Sequence, residues 1–384
     1  VFENDRLYLR RYFNFEQEVH QFILNKTQPI ARLSNDALNQ VSGIVNTLFP
    51  DVDDEQDIDW QKVAVANALN KQFIVIAGGP GTGKTFTVTK LLAALILQHN
   101  AGIDREIRNL DDDTSRSSLK IALTAPTGKA AQRLSESIVN AVEGFKGLVD
   151  ADVLAAIPRQ AQTIHRLLGV VPGQVNFKHN ETNLLDVDVL LVDEVSMVDL
   201  PLMARLTRAL PIGCRVIFLG DADQLPSVGA GCVLNDIAPR PHPGFSKANA
   251  KFLKAVCQLQ AELPTARAST DHLTFLLHSR RFDGKGGIGR LAKAVISGDS
   301  QESWQLLKSS GLSDCEDSVK EQLRLLPNNH QTWLAAHVKQ FYAPLVKSDD
   351  IQDAFTQLNK YRILCATRVG EFGVETLNKE VETI

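Results

Sequence analysis

The sequence predicts an α/β protein with parallel sheets covered by helices, on three observations. From Trp60 onward, apolar runs of strand length alternate with segments of helical periodicity, a pattern that implies a parallel sheet with helices on both faces. One run, Phe73-Ile74-Val75-Ile76-Ala77, leads directly into Gly78-Gly79-Pro80-Gly81-Thr82-Gly83-Lys84-Thr85 and then a helical pattern through Leu91, Leu92 and Leu95. Two other runs, ending at Val192 and Gly220, are followed at once by acidic residues, at the strand ends where open α/β sheets bind ligands.

In chain order, residues 1–50 show helical periodicity, with apolar residues at Leu7, Leu9, Tyr12 and Phe13 and again at Val19, Phe22 and Ile23. They are expected to form a small helical accessory or docking domain. The acidic stretch 51–57 reads as a solvated linker. Strands are expected at 73–77, 119–124, 187–192 and 215–220, with helices near 61–70, 84–98, 128–142 and 199–209. The polar stretch 100–118, carrying Asp111-Asp112-Asp113, reads as a mobile loop. Residues 236–270 are irregular, with Pro239, Pro241, Pro243 and Gly244 close together. An apolar run at 273–277 then opens what reads as a second α/β domain, with helices near 288–296, 301–308, 330–342 and 350–358 and a strand at 361–366. The expected division is therefore 1–50, 51–270 and 271–384.

Composition narrows the classes. Hydrophobic residues make up 44% and charged residues 22% of 384, ordinary values for a chain that packs a core. No apolar run reaches the roughly 18 residues of a membrane span, and the N-terminal residues do not read as a charged-then-apolar leader, so export is not expected. Cys214, Cys232, Cys257, Cys315 and Cys365 are scattered without a C-x-x-C pair, so they read as reduced thiols of a cytoplasmic protein. The net charge of −4 gives no global attraction to nucleic acid, so any such contact must be a local groove. Val1 is not an initiator methionine and the helical pattern from Gly373 stops at Ile384 without a cap; a fragment is expected.

The glycine loop is G-x-x-x-x-G-K-T between strand and helix, the setting that motif requires. Several glycines let backbone N–H groups converge on a phosphate, and the following helix adds its positive end. Lys84 would reach the outer phosphates and the Thr85 hydroxyl would ligate Mg²⁺. Asp193 suits the holding of hydrated Mg²⁺, and Glu194 the orienting and deprotonation of an attacking water. Gln224, in Gly220-Asp221-Ala222-Asp223-Gln224-Leu225, is placed to sense a terminal phosphate, or is simply part of a turn. Thr124-Ala125-Pro126-Thr127-Gly128-Lys129 reads either as a phosphodiester cradle or as a capped helix start. Thr163-Ile164-His165-Arg166 carries a weaker signal of the same kind. Arg280 and Arg281 are a basic turn or an arginine finger. The Gln61 amide can pair both a donor and an acceptor of an adenine edge.

Taken in order, Trp60-Gln61, GGPGTGKT, TAPTGKAA, TIHRLLG, LLVDEVSM, VIFLGDADQLPSV and SRRF resemble the motifs of superfamily 1 helicases, and most closely those of the RecD-type α-subunits of exodeoxyribonuclease V (RecBCD). The resemblance implies two RecA-like motor domains, the second incomplete, behind a small helical N-terminal domain. It implies a bacterial, cytoplasmic ATP-driven motor moving 5′→3′ on single-stranded DNA from duplex ends, partnered by the other subunits of a RecBCD-type heterotrimer in double-strand-break repair and recombination. By the family pattern Gln61 reads adenine, and Gly79, Gly81, Thr82, Gly83, Lys84, Thr85 and Phe86 surround ATP. Thr85 and Asp193 hold Mg²⁺, Glu194 activates water, Gln224 senses the γ-phosphate and Arg281 is the finger. Pro126, Thr127, Lys129, Thr163 and His165 map onto DNA-touching segments, as does Arg368. The family has Tyr where Arg280 stands, so the finger assignment can shift by one. Two further motor motifs of the family are absent, so this chain is expected to bind ATP, hydrolyse it poorly and not unwind. A free-standing RecD-like helicase, and a phosphate-loop kinase or scaffold without DNA, are the alternatives.

Overall fold

The computed structural model describes all residues except 4, 29–32, 51–57, 104–117, 175, 226, 228, 268, 278–285, 310–321, 326–329 and 349. The chain divides into two units, 1–283 and 284–384. The first opens with a two-stranded antiparallel pair, β1 (Phe2–Glu3) and β2 (Arg6–Leu7). Its main sheet comprises β3 (Phe73–Gly78), β4 (Ile121–Ala125), β5 (Gln162–Thr163), β6 (Val189–Val192), β7 (Arg215–Gly220) and β8 (Leu273–Leu276). The order is β5-β4-β6-β7-β3-β8, and every pairing is parallel.

All residues of β3, β6, β7 and β8 are buried, as expected of strands covered on both faces. The two-residue period of a strand then divides them between two cores. Ile74, Ile76, Leu191, Ile217, Leu219 and Leu276 enter one core; Phe73, Val75, Leu190, Val192, Val216, Phe218 and Phe275 enter the other. The first core takes helices α2 (Asn35–Leu48), α3 (Trp60–Leu69) and α4 (Lys84–Asn100), together with Gly128–Glu143 and Lys247–Cys257. The second takes α1 (Arg10–Lys26) and Leu200–Arg208. Arg215, the one charged residue of the buried strands, donates from Nη1 to Gln98 Oε1 (2.9 Å), and Gln98 Nε2 donates to Leu69 O (2.9 Å).

The N-terminal helices differ from the separate domain expected for residues 1–50. Val41, Val45 and Leu48 of α2 lie in the first core, while Phe15 and Val19 of α1 lie in the second. Glu18 receives a two-point contact from Arg208 (2.7 and 2.9 Å), and Lys26 Nζ donates to Cys214 O at 2.6 Å. Periodicity reveals that a helix has an apolar stripe but not what the stripe faces; here each stripe faces the same sheet from an opposite side. The run at 273–277 also departs from expectation. It is not the opening of a second domain but β8, paired with β3 from Val75↔Leu273 to Gly78↔Leu276. The irregular stretch contains the helix Lys247–Cys257, capped by Ser246 Oγ accepting from Asn249 N. The linker 51–57 and most of the loop 100–118 lie outside the described residues.

The second unit, in its described residues, is helical: Gly287–Ile296, Ser300–Ser309, His330–His337 continuing through a π-turn to Val346, Ile351–Leu358 and Val374–Thr383. The strand expected at 361–366 does not form. Ile363 and Cys365 instead pack against Leu334, Val338 and Leu377, and the Tyr361 ring stacks on Phe341 with centroids 4.6 Å apart. Alternating apolar residues bury one side of an extended segment with or without a strand partner, and here there is none among the described residues.

If α2 belongs to the sheet's core, Leu48→Ala destabilises the whole first unit by about 2–5 kcal/mol. Hydrogen exchange should then accelerate together in α2, β3 and β7. Acceleration confined to α2 would mark an independent N-terminal domain.

Candidate functional site

The buried strand β3 delivers the chain into a loop that only glycine can build at several points. Gly81 and Gly83 have φ of 79° and 81°, the left-handed region that side chains avoid. A Cβ on Gly78 would lie 2.7 Å from Thr82 Oγ1 and 3.0 Å from Leu276 Cβ. A Cβ on Gly83 would lie 2.4 Å from Gln61 Nε2. Thr82 Oγ1 donates to Gly79 O (2.9 Å), and Lys84 Nζ donates to Gly78 O and Gly79 O (2.5 and 3.1 Å). Helix α4 begins at Lys84 with Gly83 as its N-cap and no side-chain cap, so its positive end opens on the loop. Thr85 is half-buried in its first turn. The Phe86 ring, 39% exposed, lies 5.5 Å from Phe145 and 4.9 Å from Lys90 Nζ, which also sits 3.7 Å over Phe49.

One strand, β7, separates β3 from β6, and β6 ends in the acidic pair. Asp193 N donates to Thr124 O (2.8 Å), and Glu194 N donates to Asp193 Oδ1 (2.9 Å). Glu194 takes φ 54°, one of three left-handed non-glycine residues among those described. Such a conformation is costly for a residue with a Cβ and occurs preferentially at functional sites. Its Oε2 is buried and has no hydrogen-bond partner among the described residues. Burial pushes the Asp193 carboxyl up to about 6; the neighbouring Glu194 charge adds to the rise, while the Glu194 N–H and the Lys84 charge oppose it. Two adjacent carboxylates, one of them buried enough to hold its proton up to about pH 6, form a site that an added positive charge would relieve.

The turn after β7 contributes Asp221, 1% exposed, which accepts from Asp223 N (3.0 Å) and from Gln224 N through its carbonyl (3.2 Å). Gln224 itself is exposed. Sequence reading passed over Asp221 because nothing in the motif distinguishes the buried carboxylate from its exposed neighbour Asp223.

The segments after β4 and β5 are brought side by side by the register Thr124↔Gln162 and Ala125↔Thr163. Both threonines cap helices: Thr127 Oγ1 accepts from Ala130 N (3.2 Å), and Thr163 Oγ1 from Arg166 N (3.1 Å). Pro126 is half-buried; Lys129 and His165 are exposed, with the His165 ring 5.8 Å from Phe177. Phe177 also receives the Arg205 guanidinium at 5.5 Å, a support invisible in sequence because its three members are far apart in the chain. Gln61 does not present a free amide. It is 6% exposed and its Nε2 donates to Thr82 O at 2.9 Å. Arg280 and Arg281 lie outside the described residues. Arg368, in the second unit, is exposed and paired with Glu375 through Nε (2.8 Å).

A family model described as an AAA domain matches residues 61–230, the span from Gln61 past the turn carrying Gln224. The RecD subunit of the RecBCD enzyme from Haemophilus influenzae is 38% identical across 99% of this chain and 59% of its own length. The similarity to this subunit runs along almost the whole of the present chain. The Mycobacterium tuberculosis RecD subunit is 35% identical over 100% of the chain and 56% of its own length. The ATP-dependent RecD2 DNA helicase of Deinococcus radiodurans is 35% identical over 53% of the chain and 25% of its own length. The chain thus spans somewhat more than half the length of the RecD subunits it matches. No helix among the described residues is long and apolar enough to cross a membrane.

The Asp193 shift has a testable sign. Its folded-state value of about 6 exceeds the usual 3.8, so the contribution is full below about pH 3.8 and is lost as pH rises through 6. Asp193→Asn should therefore raise stability at pH 7.5 without divalent cations by on the order of 2–3 kcal/mol. The gain should disappear near pH 4. Thermal melts of both proteins across that range measure it; a gain that is independent of pH would assign the effect to packing.

Proposed function

We propose that this chain is the ATP-hydrolysing motor portion of a DNA helicase or translocase that moves 5′→3′ as the RecD-type subunit of a RecBCD-type complex in the bacterial cytoplasm. The observation that carries the reading is one sheet edge. There the strand-end loops set Lys84 and the Asp193–Glu194 pair on one side and Thr127, Lys129, Thr163 and His165 on the other. A motor needs a phosphate site and a strand site on one rigid platform, and parallel strands supply it.

The residues divide the work. Gly79, Gly81, Thr82 and Gly83 shape the loop whose N–H groups receive phosphate. Lys84 exchanges its two loop carbonyls for phosphate oxygens. The Thr85 hydroxyl and the Asp193 carboxylate are oxygen donors suited to a hard divalent cation, and a cation there would offset the burial and the Glu194 charge that raise the Asp193 carboxyl. Bound Mg²⁺ supplies charge neutralisation at the outer phosphates. Glu194, with one carboxylate oxygen unpartnered, orients a water and accepts its proton. Gln224 reports the terminal phosphate, Phe86 borders the nucleotide and Arg281, or Arg280 beside it, completes the charge clamp. Lys129 and His165 contact DNA phosphates, Thr127 and Thr163 present their capped helix starts, Pro126 shapes the turn, and Arg368, on the second unit, is a further DNA contact.

Membership in a complex is favoured over a free-standing helicase by the extent of similarity. The RecBCD subunits match nearly the entire chain, including α1 and α2, whereas the RecD2 match covers 53%. The full-length protein should show ATPase activity stimulated by single-stranded DNA and should co-purify with two partner subunits. Lys84→Ala should lower stimulated turnover at least about a hundredfold. Lys129→Ala should weaken single-stranded DNA binding and reduce the slope of log affinity against log salt by about 1. Turnover indifferent to DNA would leave the phosphate-loop kinase or scaffold as the better reading.

A further inference from the structure

The turn after β7 and the strand β8 stand on opposite sides of β3, the strand that feeds the phosphate loop. One side chain spans them. Arg240 pairs through Nη1 with Asp223 Oδ2 in the turn, while its guanidinium carbon lies 4.9 Å from the centroid of the Phe275 ring in β8. Phe275 is in register with Ala77, and Leu276 with Gly78, where the phosphate loop begins. A guanidinium suits both contacts, since it offers a charge to the carboxylate and a flat face to the ring; a lysine would match only the first as well.

Both flanks of Arg240 are fastened to the β8 segment. Before it, the helix Val233–Ile237 ends with Ile237 O 3.2 Å from His272 Nε2. After it, His242 Nδ1 accepts from Gly244 N (2.9 Å), which leaves the ring hydrogen on Nε2 to donate to Leu273 O at 3.0 Å. Burial lowers the pKa of both imidazoles, so the neutral ring that the two His242 bonds require is the form present at neutral pH. The Arg240 backbone thus keeps station with β8. In the turn, Asp221 accepts from the backbone N–H groups of both Asp223 and Gln224. Whatever fixes the Asp223 carboxylate therefore fixes the origin of the Gln224 side chain.

We propose that Arg240 is a positioning residue for the sensor of the terminal phosphate. It fastens the Gln224 turn to β8, and so holds that turn at a set distance from the phosphate loop that β8 also abuts. The inference rests on the reading of Gln224 as that sensor and adds to it a residue that lies outside every phosphate-binding motif of the chain. Its influence passes through Asp223 and Gln224, so it is felt by a triphosphate and not by a diphosphate.

The test is competition binding of β,γ-imido-ATP and ADP to the full-length protein, with thermal melts recorded for every variant. Gln224→Ala measures the sensor's share as a fall in the preference for the imido-triphosphate over ADP. Arg240→Ala should lower that preference about three- to tenfold, for the loss of a partly covered ion pair and a cation–ring contact, and should leave ADP affinity within about twofold. Asp223→Ala removes the other member of the pair but keeps the backbone bond to Asp221; it should give a similar fall, and it keeps the comparison decisive should Arg240→Ala fold poorly. Arg240→Ala combined with Gln224→Ala should lose no more preference than Gln224→Ala alone, because both act on one interaction. An unchanged preference in folded Arg240→Ala or Asp223→Ala overturns the proposal. So does an equal loss for ADP, the mark of a loosened phosphate loop, or a double variant whose loss is the product of the two single losses. A preference that Gln224→Ala leaves untouched would remove the sensor reading and the inference with it, while the nucleotide site itself would still stand or fall by Lys84→Ala.

Discussion

Parallel pairing is the constraint on which the rest depends. Because β3 to β8 run the same way, every strand ends on the same side of the sheet and every strand-end loop competes for the same edge. The phosphate loop, the acidic pair, the buried Asp221 turn and the two capped segments after β4 and β5 are neighbours for that reason alone. A change in strand order would separate them without altering any one motif. The interposition of β7 between β3 and β6 sets the spacing between the lysine loop and the carboxylates, and the Lys84 charge still acts on Asp193 across it.

The edge carries unsatisfied chemistry that the rest of the unit must support. Glu194 sits in a left-handed conformation with a buried oxygen unpartnered among the described residues, burial raises the Asp193 carboxyl to about 6, and Gln61 leaves one acceptor unmet among the described residues. Each such group costs about 1–3 kcal/mol. That is tolerable only in a frame stabilised elsewhere, and the two cores that clothe the sheet are that frame. Functional sites commonly hold their groups away from their lowest-energy state in this way.

The motifs were legible where one local pattern fixes both geometry and chemistry. Gly81 and Gly83 announce a loop of left-handed turns, and Asp193–Glu194 announces a strand end; both stand where the pattern places them. Pairing was not legible, because it depends on residues far apart in the chain. The run at 273–277 looks the same whether it opens a new sheet or closes an old one, and it closes the old one beside β3. The segment 361–366 alternates like a strand but finds no partner strand among the described residues. Gln61 was visible as an amide near the loop, but the direction of its hydrogen bond depends on Thr82, which only the fold brings to it. Thr127 was legible as a helix cap and its hydroxyl is seen to cap, whereas the Thr163 cap was not legible ahead of a helix only five residues long.

The placement of α1 and α2 bears on how the chain is made. Lys26 bonds the carbonyl of Cys214, Glu18 meets Arg208, and Ser42 donates to Val256 O. Helix α1 leaves the ribosome well before the helix Leu200–Arg208 on which it packs, roughly two hundred residues later. Until then the apolar stripe of α1 lacks that partner, whereas α2 already meets α3 and α4. Long-range closure of this kind slows folding and prolongs the exposure of sticky surface. The first fifty residues thus cover both faces of the sheet, one helix finding its place early in synthesis and the other late.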